Sequence, residues 1–270
     1  MLQNSNVMEK SYQKLVLQVS LKGLSFATFD TLSNKPTELH KIELGSINVT
    51  AKIEDLFAEA FETYSELKGN YDEITIVHSN NLSTFVPSVL FDEEYLGSYL
   101  QFNTKVFETD FFAYDDLSIY EMKNVYIPYV NLNNYFIDQF GSFDYKHANT
   151  ILVNKLLEVS RNNEERKMFV HIGQGHFEIV VIQNQKLLFY NSFDYKTPED
   201  FLYYILFTAE QLLLNPEYFK LELLGNVMED DILYSIAYKY IRNVSLFDVS
   251  FMQNDFTDME NREHFILFNS

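Results

Sequence analysis

Two stretches of this chain, about 150 residues apart, pass through the same succession of elements, and that repetition limits the fold more than any other feature. The first opens with Leu15–Asp30 (LVLQVSLKGLSFATFD), two apolar runs around a Lys22-Gly23 turn. The second opens with Met168–Ile182 (MFVHIGQGHFEIVVI), two apolar runs around Gly173-Gln174-Gly175. Apolar runs on both sides of a glycine turn predict a β-hairpin. A short strand follows each, Glu38–Leu44 in the first half and Lys186–Phe193 in the second. A helix comes next. Leu56, Ala60, Tyr64 and Leu67 recur at helical spacing between about Ile53 and Leu67. In the second half Thr197-Pro198-Glu199-Asp200 supplies an N-cap, a first-turn proline and two acids, and the helix runs to about Leu214. The strands ITIVH, ending at His78, and Phe219–Leu224 close the series, each followed by a helical stretch, Phe91–Gln101 and Glu229–Arg242.

The expected architecture is therefore α/β, a duplicated βββαβα unit. At about 150 residues per domain, 270 residues suit two domains or one large one, and the repeated order and spacing of five elements favours two such units over a single open sheet without duplication. A helix pattern at His147–Arg161, with Ile151, Leu152, Leu156 and Leu157, leads from one to the other. The expected domains are 1–146 and 147–270. The first carries a β-rich insert near 104–123, with strand-like FETDFFAY and LSIYEM runs. Later strands are expected at Val125–Pro128 or Phe143–Tyr145, and at Val244–Phe251.

Charge narrows the function. Twenty basic residues against 39 acidic ones give a net charge of −19. Nucleic-acid binding needs a basic footprint, and no Lys/Arg cluster supplies one. An anionic membrane surface would repel the chain as well. With no cysteine there is no disulfide, thiolate nucleophile or Cys zinc site. The opening residues hold no apolar signal segment, and the longest apolar run, Phe201–Phe207, is far too short to span a bilayer. A cytoplasmic protein is expected.

Two βββαβα halves, each opening on a glycine-turned hairpin, resemble the actin-like ATPase fold of actin, Hsp70 chaperones, sugar kinases and the ATPases of cell division and type IV pilus assembly. That fold is ribonuclease H-like in each half, with two lobes around a cleft. The segment VHIGQGHFEIVVIQNQKLLFYNSF is similar to the second phosphate-loop segment of the pilus-type members. Three stretches resemble a bacterial family of domains of unknown function assigned to this fold. They are Phe85–Asn103 (FVPSVLFDEEYLGSYLQFN), Asn124–Phe136 (NVYIPYVNLNNYF) and the second hairpin with its following helix and KLELLG, to Gly225. That resemblance implies the fold and no activity.

The resemblance also implies three nucleotide-holding segments, which this sequence matches poorly. The first hairpin should offer an Asp for hydrated Mg²⁺ and a Gly that lets backbone approach a phosphate. Those positions fall on Gln18 and Ser20. The second hairpin should open on an Asp, and His171 stands there. Gly173 and Gly175 remain in the turn, His176 and Phe177 replace small hydroxyl residues, and Glu178 replaces a later Asp. The third segment should be a double-glycine turn, and Gly225 alone remains. These seven positions, Gln18, Ser20, His171, Gly173, Gly175, Glu178 and Gly225, are the expected degenerate cleft. His78 falls at the strand position of Gly225.

The expected function is a non-catalytic actin-like scaffold with a protein partner, no cofactor, no catalytic residue and no metal. The aromatic stretch Phe107–Tyr120 is the candidate partner surface. The alternative is an ATP-binding actin-like ATPase with ATP and Mg²⁺ as cofactors. A small-molecule kinase would need a base such as Asp30 or Asp194. A metal trio of His171, His176 and Glu178 is set aside, because His176 and Glu178 share a strand face while His171 lies across a turn whose phase the sequence does not fix, and no pattern of supporting hydrogen-bond partners accompanies them. The pairs Asp115-Asp116 and Asp230-Asp231, and Asp92-Glu93-Glu94, read as helix starts or solvated loops.

Overall fold

A computed structural model describes residues 10–43, 53–161 and 164–270. The elements run β1 (Gln13–Ser20), β2 (Gly23–Asp30), β3 (Lys35–Glu43), α1 (Ile53–Thr63) and β4 (Glu73–His78). Then come β5 (Ser83–Pro87), α2 (Leu96–Leu100), β6 (Ala113–Leu117), β7 (Met122–Tyr126), α3 (Val130–Phe140), β8 (Asp144–His147) and α4 (Ala148–Val159). The remainder is β9 (Lys167–Ile172), β10 (His176–Gln183), β11 (Lys186–Asp194), α5 (Pro198–Gln211), β12 (Lys220–Gly225), α6 (Ile232–Tyr240), β13 (Asn243–Leu246), α7 (Asp258–Glu263) and α8 (Phe265–Phe268). Leu44, the expected end of the third strand, lies outside the described residues.

The chain divides into two compact units, one of residues up to Ser79 with Tyr129–Lys146 and Ser270, the other of Asn80–Pro128 and His147–Asn269. Each contains one five-stranded sheet, ordered β3-β2-β1-β4-β8 in the first and β11-β10-β9-β12-β13 in the second. The registers match residue for residue. Gln18 stands opposite Ser25 and beside Val77, and His171 stands opposite Glu178 and beside Leu224. Val19 neighbours His78 as Ile172 neighbours Gly225, so His78 and Gly225 occupy equivalent strand positions.

The central strands read as unbroken apolar runs because both of their faces are covered. Leu15, Val16 and Leu17 are all wholly buried, as are Ile179, Val180 and Val181. In the first unit Leu15, Leu17 and Phe26 pack with α1 and α3, where the Phe57 and Phe136 rings meet edge to face at 5.6 Å. In the second, Val170, Phe177 and Ile179 pack with Phe201 and Ile205 of α5 and Ala237 of α6. On the opposite face Phe169 meets Phe247, which meets Phe265 of α8. Helix α5 begins as its sequence predicts: Asp200 N–H donates to Thr197 Oγ1 at 3.1 Å, and Thr197 N–H donates back to Asp200 Oδ2 at 3.0 Å. Such a reciprocal cap satisfies backbone N–H groups that the first helical turn leaves without an intrahelical partner.

Several expected elements shift. The helix at Phe91–Gln101 shrinks to α2 behind a 3-10 turn at Glu93–Tyr95, and Val244–Phe251 is strand only to Leu246. Both Val125–Pro128 and Phe143–Tyr145 contribute strands, in different sheets. The insert is a three-stranded sheet, ordered β5-β7-β6. LSIYEM is a reversal within it, turned by Glu121 at a positive φ of 53°.

The domain expectation needs one correction. Asn80–Pro128, expected in the N-terminal half, belongs to the second unit. Hydrogen bonds to α4 and β11 hold it there. Asp115 of β6 accepts from Tyr126 OH at 3.0 Å, His147 N–H at 2.8 Å and Thr150 Oγ1 at 2.5 Å. Asn124 donates to the same Thr150 hydroxyl at 2.8 Å, and Asn149 donates to Ser83 Oγ at 3.1 Å. The Phe85 ring meets Tyr190 of β11 edge to face at 4.8 Å. Asp115 is thus a polar hub rather than a solvated loop acid. Among the described residues no helix is long and apolar enough to cross a membrane.

Candidate functional site

Strands β9 and β10 turn through Gly173-Gln174-Gly175, closed by Gly173 N–H donating to His176 O at 2.9 Å. Counting outward from that bond puts His171 directly opposite Glu178. The phase of the turn, which the sequence leaves open, is thereby fixed, and His171 shares the face of Glu178. His171 Nδ1 lies 2.8 Å from Glu178 Oε2, and His176 Nε2 lies 3.6 Å from Glu178 Oε1. A carboxylate only accepts, so His171 Nδ1 carries the hydrogen. Ser192 Oγ of β11 donates to Glu178 Oε1 at 3.3 Å.

Glu178 is 3% exposed. Burial by itself would push its carboxyl group up. The His171 hydrogen bond, the charges of His176 and His171 and the Ser192 hydroxyl overcome that and hold it below the usual carboxylate range. The same carboxylate adds to burial in pushing the Tyr190 phenol upward.

The glycines serve the protein itself. The His176 ring lies over Gly173, so that a Cβ there would stand 2.8 Å from His176 Cε1. Gly225 has a φ of +90°, and a Cβ on it would stand 2.3 Å from Ile172 O. That close approach lets Asn226 N–H reach Ile172 O at 2.9 Å. Gly175 holds the turn with a φ of +76°.

Gln18 and Ser20 lie on β1 of the other unit, half-buried. The Ser20 hydroxyl is taken up by its own turn: it accepts from Lys22 N–H and Gly23 N–H and donates to Gly23 O, each at 3.1 Å. His78 is wholly buried. Its Nδ1 accepts from Tyr129 N–H at 3.3 Å, which leaves Nε2 to donate to Asn133 Oδ1 at 2.9 Å. Burial lowers its pKa to about 4, against a smaller opposite effect of the Asn133 bond. Asp30 caps a turn, accepting from Leu32 N–H, Ser33 N–H and Ser33 Oγ. The structure thus gathers His171, Gly173, Gly175, His176, Glu178 and Gly225 around one hairpin. Ser192 and Tyr190 belong to that group too, and nothing in their sequence neighbourhood marked them out.

Compared with solved structures, the chain has the actin-like ATPase fold. It is similar to a protein of Bacteroides thetaiotaomicron VPI-5482 with an actin-like ATPase fold and unknown function, at 21% identity and a TM-score of 0.79, over 87% of this chain and 91% of that one. It is also similar to the PilM-PilN type IV pilus biogenesis complex, at 13% identity and a TM-score of 0.54, over 94% of this chain and 96% of that one. No curated protein matches it. The family model described as "Protein of unknown function (DUF3822)" matches residues 2–244, and the chain belongs to that family.

Proposed function

We propose that this chain is a non-catalytic actin-like scaffold that binds a protein partner in the cytoplasm, with a degenerate nucleotide site. The observation that carries the reading is the Glu178 carboxylate. It is buried, and both of its oxygens are engaged by His171, His176 and Ser192. A buried carboxylate whose oxygens are directed at these three side chains is poorly placed to orient water or a hydrated Mg²⁺. The His176 ring over Gly173 and the turn-bound Ser20 hydroxyl support the same reading, since bare backbone and free hydroxyls are what a phosphate needs. The matched registers of the two sheets support an origin by duplication of one unit.

A protein partner is supported by the pilus biogenesis neighbour, itself a complex. It is supported too by apolar side chains near the expected partner surface. Val89, Phe102 and Ile119 are 89%, 91% and 84% exposed. Phe107 and Phe111, within that surface, are more than half exposed.

Calorimetric titration with MgATP and MgADP, with a thermal melt alongside, tests the proposal. The expected result is no binding at millimolar nucleotide. Micromolar binding would overturn it in favour of an ATP-binding ATPase. Ligand at 100 times its Kd would then stabilise the fold by about 2.7 kcal/mol, which a melt reads directly.

A further inference from the structure

In the first unit, Glu38, His40 and Glu66 each bring a ligand atom within 4.8 Å of the other two. Glu38 and His40 are two residues apart on β3, an edge strand, so the pleat sets both on one face. Glu66 comes from the 3-10 turn Ser65–Lys68 that follows α1. Two local devices hold these groups in place. The His40 imidazole stacks on its cross-strand neighbour Phe26 at 4.7 Å, with Tyr64 edge-on at 5.1 Å, which fixes the plane of the ring. The Glu66 backbone is pinned by Tyr71, whose OH donates to Glu66 O at 2.6 Å.

Two carboxylates of like charge thus meet beside an imidazole, and among the described residues no lysine or arginine pairs with either. A divalent cation would offset both charges. An imidazole donor beside two carboxylates suits a first-row transition ion better than Ca²⁺ or Mg²⁺, which prefer all-oxygen shells. Three protein donors with one position left to water also match the tetrahedral habit of Zn²⁺.

We propose that Glu38, His40 and Glu66 form a binding site for a first-row divalent transition ion of the Zn²⁺ type, joining the edge strand β3 to the turn after α1.

The test is calorimetric titration of the full chain with ZnCl2 alone and with CaCl2 alone. The expected result is one Zn²⁺ per chain at micromolar Kd or tighter, and no Ca²⁺ binding in the same range. Glu66→Gln, which keeps side-chain size and leaves the His40 stack untouched, should weaken Zn²⁺ binding at least tenfold, and His40→Ala should do the same. If His40→Ala fails to fold, Glu66→Gln alone decides. His176→Ala removes an imidazole of the hairpin site and should leave the Zn²⁺ affinity unchanged. Absence of stoichiometric Zn²⁺ binding, binding undiminished by Glu66→Gln, or binding lost in His176→Ala would each overturn the proposal.

Discussion

His171 and Glu178 face each other across the second hairpin at 2.8 Å, and the carboxylate is the more deeply buried partner, 3% exposed against 12% for the imidazole. His171→Ala strands a buried charge and should cost about 3 kcal/mol at neutral pH. In the native protein the depressed carboxyl pKa gives stability that is present above the unfolded value and lost as pH falls through the folded one. In the variant burial dominates and the folded pKa rises above the unfolded one. The sign then reverses: the deficit should shrink between pH 7.5 and about 5. Urea unfolding at the two pH values measures this, and an equal deficit at both would sink the account.

His78 gives a second pH signature, from the other unit. Its folded pKa of about 4 lies below the unfolded 6.5, so the unfolded chain takes up the proton first. Stability is full above pH 6.5 and falls as pH drops toward 4, by about 3 kcal/mol over that window. His78→Asn should start from a lower stability and show a flatter curve between pH 6.5 and 4. A variant curve as steep as the native one would assign the titration to another group.

Gly225 and Gly173 should answer differently to the same substitution. An alanine at Gly225 needs a positive φ and puts its Cβ against the Ile172 backbone, which has nowhere to move. Gly225→Ala should cost about 3 kcal/mol or more. At Gly173 the obstacle is the His176 ring, a side chain that is 28% exposed and able to swing aside. Gly173→Ala should cost under about 1 kcal/mol. Denaturant midpoints of the two variants check the contrast, and similar losses would contradict it.

Asp115 ties the insert sheet to α4. Asp115→Ala leaves Tyr126 OH, His147 N–H and Thr150 Oγ1 without this acceptor and should cost about 3 kcal/mol. Amide hydrogen exchange should show the loosening in β6, β7 and the first turn of α4, with β1 and β2 unchanged. Uniform loosening of all of them would refute the grouping.

The hairpins, the strand after each and α5 were legible in the sequence because their causes are local: unbroken apolar runs, glycine turns and a Thr-Pro-Glu-Asp cap. The facing of His171 and Glu178 was legible in principle. Residue numbers of paired positions in an antiparallel ladder share a constant sum, so a turn closed by Gly173 and His176 determines the rest. The sequence leaves it open because that closing bond has no mark in the residue types. Helix α3 escaped because VNLNNYFIDQF dilutes its apolar face with asparagines and Tyr129 supplies no side-chain cap. The burial of His78 depends on Tyr129 and Asn133, more than 50 residues on, and the place of the insert on contacts from Asp115 to Thr150 and Ser83 to Asn149. No pattern read along the chain reports such pairings.

The chain leaves the first unit after Ser79, re-enters it at Tyr129 and leaves again after Lys146, so neither unit is one continuous stretch. This has a consequence in time. On the ribosome the first sheet waits for β8 before its edge is filled, although β1 to β4 emerge early. Strand β5 emerges with its partners Asn149 and Tyr190 still unmade, so its polar groups stay in water until α4 and β11 arrive. Loop closure over such separations is slow, and a chain of this layout acquires its two halves late and in overlap rather than one after the other.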